Sequence, residues 1–152
     1  EEICAGFGSG HASILDLRSG SLVYFSHMHD GPVKCLQYYG DHLLISGGSD
    51  KKLRIWDTRK FSTNGSASSA RQQSSLLHMV AGFQDEISGV CSVAGKVLVS
   101  TGPRISILDT HTWNPYHNKP NKLLNSQGVK ESSHISAMDV MPLSGVLSVS
   151  NE

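Results

Sequence analysis

The strongest constraint on this chain is that it repeats itself. Three short runs look alike: Ala12-Ser13-Ile14-Leu15-Asp16, Leu53-Arg54-Ile55-Trp56-Asp57 and Ile105-Ser106-Ile107-Leu108-Asp109. Their aspartates stand 41 and 52 residues apart. Each run follows a second apolar one, Ile3 to Phe7, Leu43 to Gly47 and Val97 to Thr101, and a further copy begins at Val146. Such runs are short, aliphatic and β-branched, as strands are. Gly, Asp and Ser separate them, the residues that tight hairpin turns favour. No segment keeps a 3.6-residue apolar period over three turns, so essentially no helix is expected.

A period of roughly 40–50 residues with several strands per unit points to a propeller or array rather than a sandwich. The expected fold class is therefore all-β, a β-propeller. At about 45 residues per blade, the 152 residues make a little over three blades. Closed rings hold about 4–8, so the ring is expected to be incomplete and the sequence part of a longer protein. The expected divisions are a part blade over 1–21, a blade over 22–57, an insertion over 61–75, a blade over 76–109 and the start of another over 123–152.

The best unit, 22–57, carries a family resemblance. His29-Asp30-Gly31-Pro32-Val33, then Ser46-Gly47-Gly48-Ser49-Asp50, then Ile55-Trp56-Asp57 resembles a WD-repeat, with Met28 where the family usually has Gly. The resemblance implies a structural tetrad of His29, Ser46, Asp50 and Trp56, a buried relay in which each polar group finds a partner. Burying such groups unpaired is costly, and a complete network fixes one geometry. The third unit keeps Ser100 but has Leu108 for Trp and Phe83 near the His position. The first unit has Leu15 for Trp, and Glu131 stands near the His position of the fourth.

Leu44 to Arg59 also fits, position for position, the WD-repeat signature ending Trp-Asp-x-Arg. In some members that signature accompanies docking to the adaptor of a cullin-type ubiquitin ligase. The resemblance then implies docking through Asp57 and Arg59. In a propeller one face is built from the loops before the first strands and from the turns between the second and third. Here these contribute Asp30, Pro32, Ser49, Gln84, Asp85 and Arg104, and loops on a rigid frame are where binding residues concentrate. Within the insertion, Arg71-Gln72-Gln73-Ser74 has basophilic-kinase spacing, which makes Ser74 a candidate phosphosite.

Composition removes other classes. Lys+Arg and Asp+Glu are both 13, so the net charge is zero and no global field attracts nucleic acid or anionic lipid. An RNA-binding propeller stays only as an alternative, resting on Lys51, Lys52, Arg54, Arg59 and Lys60. No apolar run approaches the roughly 18 residues of a spanning helix, so membrane insertion is not expected. Cys4, Cys35 and Cys91 form no disulfide framework or CxxC pair, which points to an intracellular, cytoplasmic or nuclear, setting. The eight histidines meet no metal-ligand spacing, and no phosphate loop or catalytic triad stands out. Neither cofactor, metal nor catalysis is expected. The function expected is an interaction scaffold whose partners are other proteins or peptides. The alternative is a substrate receptor of a cullin-type ligase.

Overall fold

The computed structural model describes residues 1–61, 75–114, 135–140 and 147–151. Among them, strands β1 (Glu2–Gly6), β2 (His11–Asp16) and β3 (Ser21–His27) make a first sheet. β4 (Val33–Tyr39), β5 (Leu43–Gly48), β6 (Leu53–Asp57) and β7 (Leu76–Val80) make the second. β8 (Ile87–Val93), β9 (Lys96–Thr101) and β10 (Arg104–Asp109) make the third, and β11 (Ile135–Val140) pairs with β12 (Leu147–Asn151) in the fourth. Every pairing is antiparallel between neighbours in sequence. A 3-10 turn, Thr58–Lys60, follows β6. The expected all-β architecture is therefore what the chain adopts.

The sequence unit 22–57 spans a sheet boundary. β3 pairs with β2, placing His11 opposite His27 and Asp16 opposite Ser21, whereas β4 to β6 belong to the next sheet. The turn chemistry explains the offset. Asp16 accepts from Arg18 N at 3.0 Å and from Ser19 Oγ at 2.9 Å, closing a tight β2–β3 hairpin. After β3 comes Pro32, which has no N–H to continue a ladder. The chain therefore leaves one sheet there and starts the next. Sequence repeat and sheet are out of step by one strand.

Alternation along β5 and β6 splits their side chains between two cores. Ile45, Leu53 and Ile55, all fully buried, pack with Ile87, Val97, Val99 and Leu108 of the third sheet. Leu44 and Trp56 face the other way, onto Ala12, Ile14, Tyr24 and Met28. Ile135 continues the stack by packing on Cys91, Leu98 and Ile105. Burying one such aliphatic side chain stabilises by about 1.5–3 kcal/mol, so the stacked faces hold the sheets together. Phe61 stacks on Tyr24 with ring centroids 3.9 Å apart, where the chain enters the insertion; its residues 62–74, Ser74 among them, lie outside the described ones. Trp113, at the start of the second long connection, packs beside Tyr39 and His78 at 6.3 and 6.1 Å. His117, Glu131 and His134 also lie outside the described residues.

The second and third sheets come close together at Gly47. A Cβ there would lie 2.5 Å from Ile87 Cγ2 and 2.7 Å from Cys35 Sγ. Gly47→Ala in the intact protein is expected to lose about 1–3 kcal/mol through overpacking. Gly8→Ala, with nothing within 4 Å of the new methyl, should stay within about 0.5 kcal/mol. Urea unfolding of the two variants checks the contrast; equal midpoints would contradict this packing.

Candidate functional site

The second sheet buries a polar chain on the face it turns toward the first. His29 is delivered by the loop after β3, Ser46 by β5, Asp50 by the β5–β6 turn and Trp56 by β6. His29 and Ser46 are 0% exposed and Trp56 is 3%. An indole N–H can only donate and a carboxylate can only accept, which sets the direction of every bond. Trp56 Nε1 donates to Ser46 Oγ at 2.9 Å. His29 Nδ1 donates to Asp50 Oδ1 at 2.8 Å. The imidazole is then a neutral tautomer whose Nε2 accepts from the Ser46 hydroxyl at 2.8 Å. Gly48 makes room for the chain, since a Cβ there would fall 2.5 Å from His29 Nδ1.

One member of this network is not visible in the motif. Arg54, two residues before Trp56 on β6, shares its face and is 8% exposed. Its guanidinium meets Asp50 Oδ2 at 3.0 Å and Asp30 Oδ2 at 3.5 Å, and it donates to the Met28 carbonyl. Lys52 Nζ adds a contact to Asp30 at 3.2 Å, and Asp50 Oδ2 also accepts from the Asp30 N–H at 3.3 Å. The loop 28–32 is thus tied to the β5–β6 hairpin by a buried cation as well as by His29. The sequence signal for Arg54 is its phase: an arginine in step with a buried tryptophan on a short strand.

The electrostatics follow from burial. Desolvation lowers the His29 pKa from its ordinary 6.5 and outweighs the favourable bond and charge of Asp50. For Asp50, burial pushes upward, but the His29 bond, the Asp30 N–H and the Arg54 charge together hold its carboxyl below the usual 3.8. Asp30 is held low by the Lys52 hydrogen bond and charge, with Arg54 adding to them.

The six loop residues expected on one face lie along one edge of the second and third sheets. Ser49 N donates to the Pro32 carbonyl at 3.0 Å, beside Asp30. Arg104 donates to Gln84 Oε1, and Asp85 lies over Gly102 in the β9–β10 turn. Lys51 Nζ joins the two groups by donating to the Gln84 carbonyl at 2.6 Å.

Asp57 and Arg59 sit at the opposite edge. Asp57 caps the 3-10 turn, accepting from Arg59 N at 3.1 Å. Arg59 also grips it bidentately, Nε to Oδ1 at 2.9 Å and Nη2 to Oδ2 at 2.8 Å. That hydrogen-bonded guanidinium holds the Asp57 carboxyl down at about 2, and Asp57 in turn raises Arg59. The Arg59 side chain is nevertheless 66% exposed. It borders an open groove of about 500 Å³ with Phe61, Tyr38 and Val23 in its walls.

The third sheet solves the same problem with fewer parts. Ser100, 1% exposed on β9, shares a hydrogen bond with Ser88 Oγ at 2.9 Å and donates to the Gly89 carbonyl at 3.3 Å. Fully buried Leu108 fills the tryptophan position. Phe83 lies half-buried against the core between the second and third sheets. Among the described residues no group of three or more His, Cys, Asp or Glu side chains is placed to hold a metal ion.

No family model matches the chain. Protein GFS12 of Arabidopsis thaliana is 38% identical over 98 residues, which are 64% of this chain and 5% of that protein. A chain of the mitotic checkpoint complex superposes with a TM-score of 0.72 at 18% identity, covering 97% of this chain and 40% of its own length. The WD40 repeats of RRP9 superpose with a TM-score of 0.60 at 16% identity, covering 76% and 32%. The chain thus spans a small part of these proteins. The fold is that of a stretch of WD-repeat β-propeller.

Because His29 is neutral in the folded state and titrates below its unfolded value, the unfolded chain binds the extra proton first. Stability should be full above about pH 6.5 and fall as the pH drops through that value. Asp50, shifted down, contributes stability above about 3.8 that is lost as the pH falls further. Urea midpoints are expected to decline from pH 7 to pH 5 in the wild type and to be flatter in His29→Gln. Ser46→Ala strands an indole N–H and an imidazole nitrogen, and should cost about 2–4 kcal/mol at pH 7. A pH-independent wild type, or a neutral Ser46→Ala, would contradict this network.

Proposed function

We propose that this stretch of propeller is a non-catalytic scaffold that presents its edge loops to partner proteins. The observation that carries the reading is the contrast between the two kinds of polar residue. His29 and Ser46 have no exposed surface and are fully engaged with one another. They have no access to a substrate and resemble a fastening more than a reactive centre. Lys51 and Gln84, on loops, and Arg104, at the start of β10, are by contrast exposed at an edge that the sheets hold in place. A chain of the mitotic checkpoint complex has the same fold, which supports protein partners as the class. Cys4 and Cys35 are half-buried thiols and Cys91 is buried, all unbridged. Burial pushes Cys35 up to about 12. This chemistry suits a reducing intracellular compartment.

A second reading has its own observation. Arg59 is exposed yet locked in orientation by Asp57, so its outward donors are preorganised for a partner. Together with the Trp-Asp-x-Arg signature this supports docking to the adaptor of a cullin-type ubiquitin ligase. For RNA binding the placement of the cations is unfavourable. Arg54 is buried, Lys52 is paired with Asp30 and Arg59 with Asp57.

Affinity capture with the intact protein tests both readings. Charge reversals at the loop edge, Asp85→Lys and Arg104→Glu, are expected to lose protein partners while changing stability by less than about 1 kcal/mol. An unchanged set of captured proteins in both would contradict the scaffold reading at this edge. Adaptor subunits that appear with the wild type and vanish with Arg59→Ala would support the ligase reading; their retention would end it.

A further inference from the structure

Most charges along the loop edge are matched. Asp30 meets Lys52 and Arg54, at 3.2 and 3.5 Å, Asp50 meets Arg54 at 3.0 Å, and Glu86 meets Lys34 at 3.4 Å. Two cations at the junction of the second and third sheets behave differently. Lys51 Nζ donates to the main-chain oxygen of Gln84 at 2.6 Å, and Arg104 Nη1 donates to the side-chain oxygen of the same residue. Among the described residues neither has a carboxylate at ion-pair distance. Two like charges that come from different sheets are thus both bound to one neutral residue. Lys51, Gln84 and Arg104 are all exposed.

The backbone adds an independent observation. Lys51 has φ +60°, the left-handed region that glycine enters without penalty and a lysine does not. A lysine kept there presents its ammonium at the expense of backbone comfort. Such strain in an exposed turn is an indication of function. The fork of a guanidinium, an ammonium and the remaining amide N–H donors of Gln84 make a seat that lacks only an acceptor.

We propose that Lys51 and Arg104, aligned by Gln84, form an anion seat that receives a carboxylate side chain from an acidic segment of a partner protein. The inference rests on the scaffold reading and names the chemistry of its partner. Charge pattern favours a peptide over a nucleic acid. Asp85 lies over the adjoining Gly102, and Asp30 and Glu86 flank the seat along the edge. A continuous phosphate backbone would run over these carboxylates, whereas one discrete side chain reaches the cations without touching them. Gln84 acts as a positioning residue, since it orients both cations.

The test uses the intact protein and a fluorescein-labelled peptide of glutamates and glycines, followed by anisotropy at about 50 and 200 mM salt. A peptide with glutamine at every glutamate is the control. The seat predicts binding of the acidic peptide alone, weakened as salt rises. Lys51→Gly removes the cation while relieving the turn, so its loss of affinity, expected at about tenfold, is not a loss of folding. Arg104→Ala should match it. Gln84→Ala keeps the main-chain oxygen that Lys51 uses and frees only Arg104, so it should weaken binding less than Arg104→Ala and cost nothing further when added to Arg104→Ala. Arg18→Ala, in the β2–β3 turn, should bind as wild type. Equal affinity for the glutamate and glutamine peptides, unchanged binding by Lys51→Gly, or preference for a single-stranded oligonucleotide over the peptide would overturn the seat. If the peptide fails while edge variants still lose captured proteins, the scaffold reading survives and the seat does not.

Discussion

A single buried hydroxyl, Ser46 Oγ, accepts from Trp56 and donates to His29, and the arrangement of the second sheet depends on that double engagement. Remove it and two nitrogens stay buried without partners, at roughly 1–3 kcal/mol each. Because His29 comes from the loop and Ser46 and Trp56 from the hairpin, the bonds join segments that strand pairing does not join. Asp50 orients the imidazole from the other side and is itself fixed by Arg54. The result is a continuous polar path from the middle of the sheet to the carboxylate of Asp30 at the exposed edge.

The apolar faces and the polar path do different jobs. Ile45, Leu53 and Ile55 against Ile87, Val97 and Val99 provide non-directional stabilisation that grows with area. They would tolerate small slips of one sheet on another. The polar path tolerates none, because each bond has one donor and one acceptor at 2.8–2.9 Å. The third sheet shows that stacking does not require the full path: Ser88 and Ser100 satisfy each other, and Leu108 adds apolar area where the tryptophan would be. Precision of the loop before β4 is what the second sheet gains from its longer network.

Much of this was legible in the residues. The repeated runs gave the strands, and Gly, Asp and Ser between them gave the turns, because strand period and turn chemistry are local. The family resemblance singled out His29, Ser46, Asp50 and Trp56, and the structure places them within hydrogen-bond reach of one another. What local reasoning missed depends on facing and on partners far along the chain. Arg54 reads as an ordinary strand cation until Trp56 sets the buried face. The role of Gln84 requires knowing that Lys51, 33 residues earlier, reaches its main-chain oxygen and Arg104, 20 residues later, its side chain. The offset of the repeat by one strand was hidden because Leu22 to Phe25 adjoins the next unit in sequence while pairing backward in space.

The buried path through Asp50 and Arg54 holds the loop 28–32 in one place. Hydrogen exchange on the intact protein, comparing wild type with Arg54→Leu, tests it most directly. The amide of Asp30, which donates to Asp50 Oδ2, should be protected in the wild type and lose most of that protection in the variant, with β5 and β6 still protected. Unchanged protection at Asp30 in a folded Arg54→Leu protein would contradict this and leave the loop held by His29 and by backbone pairing without Arg54.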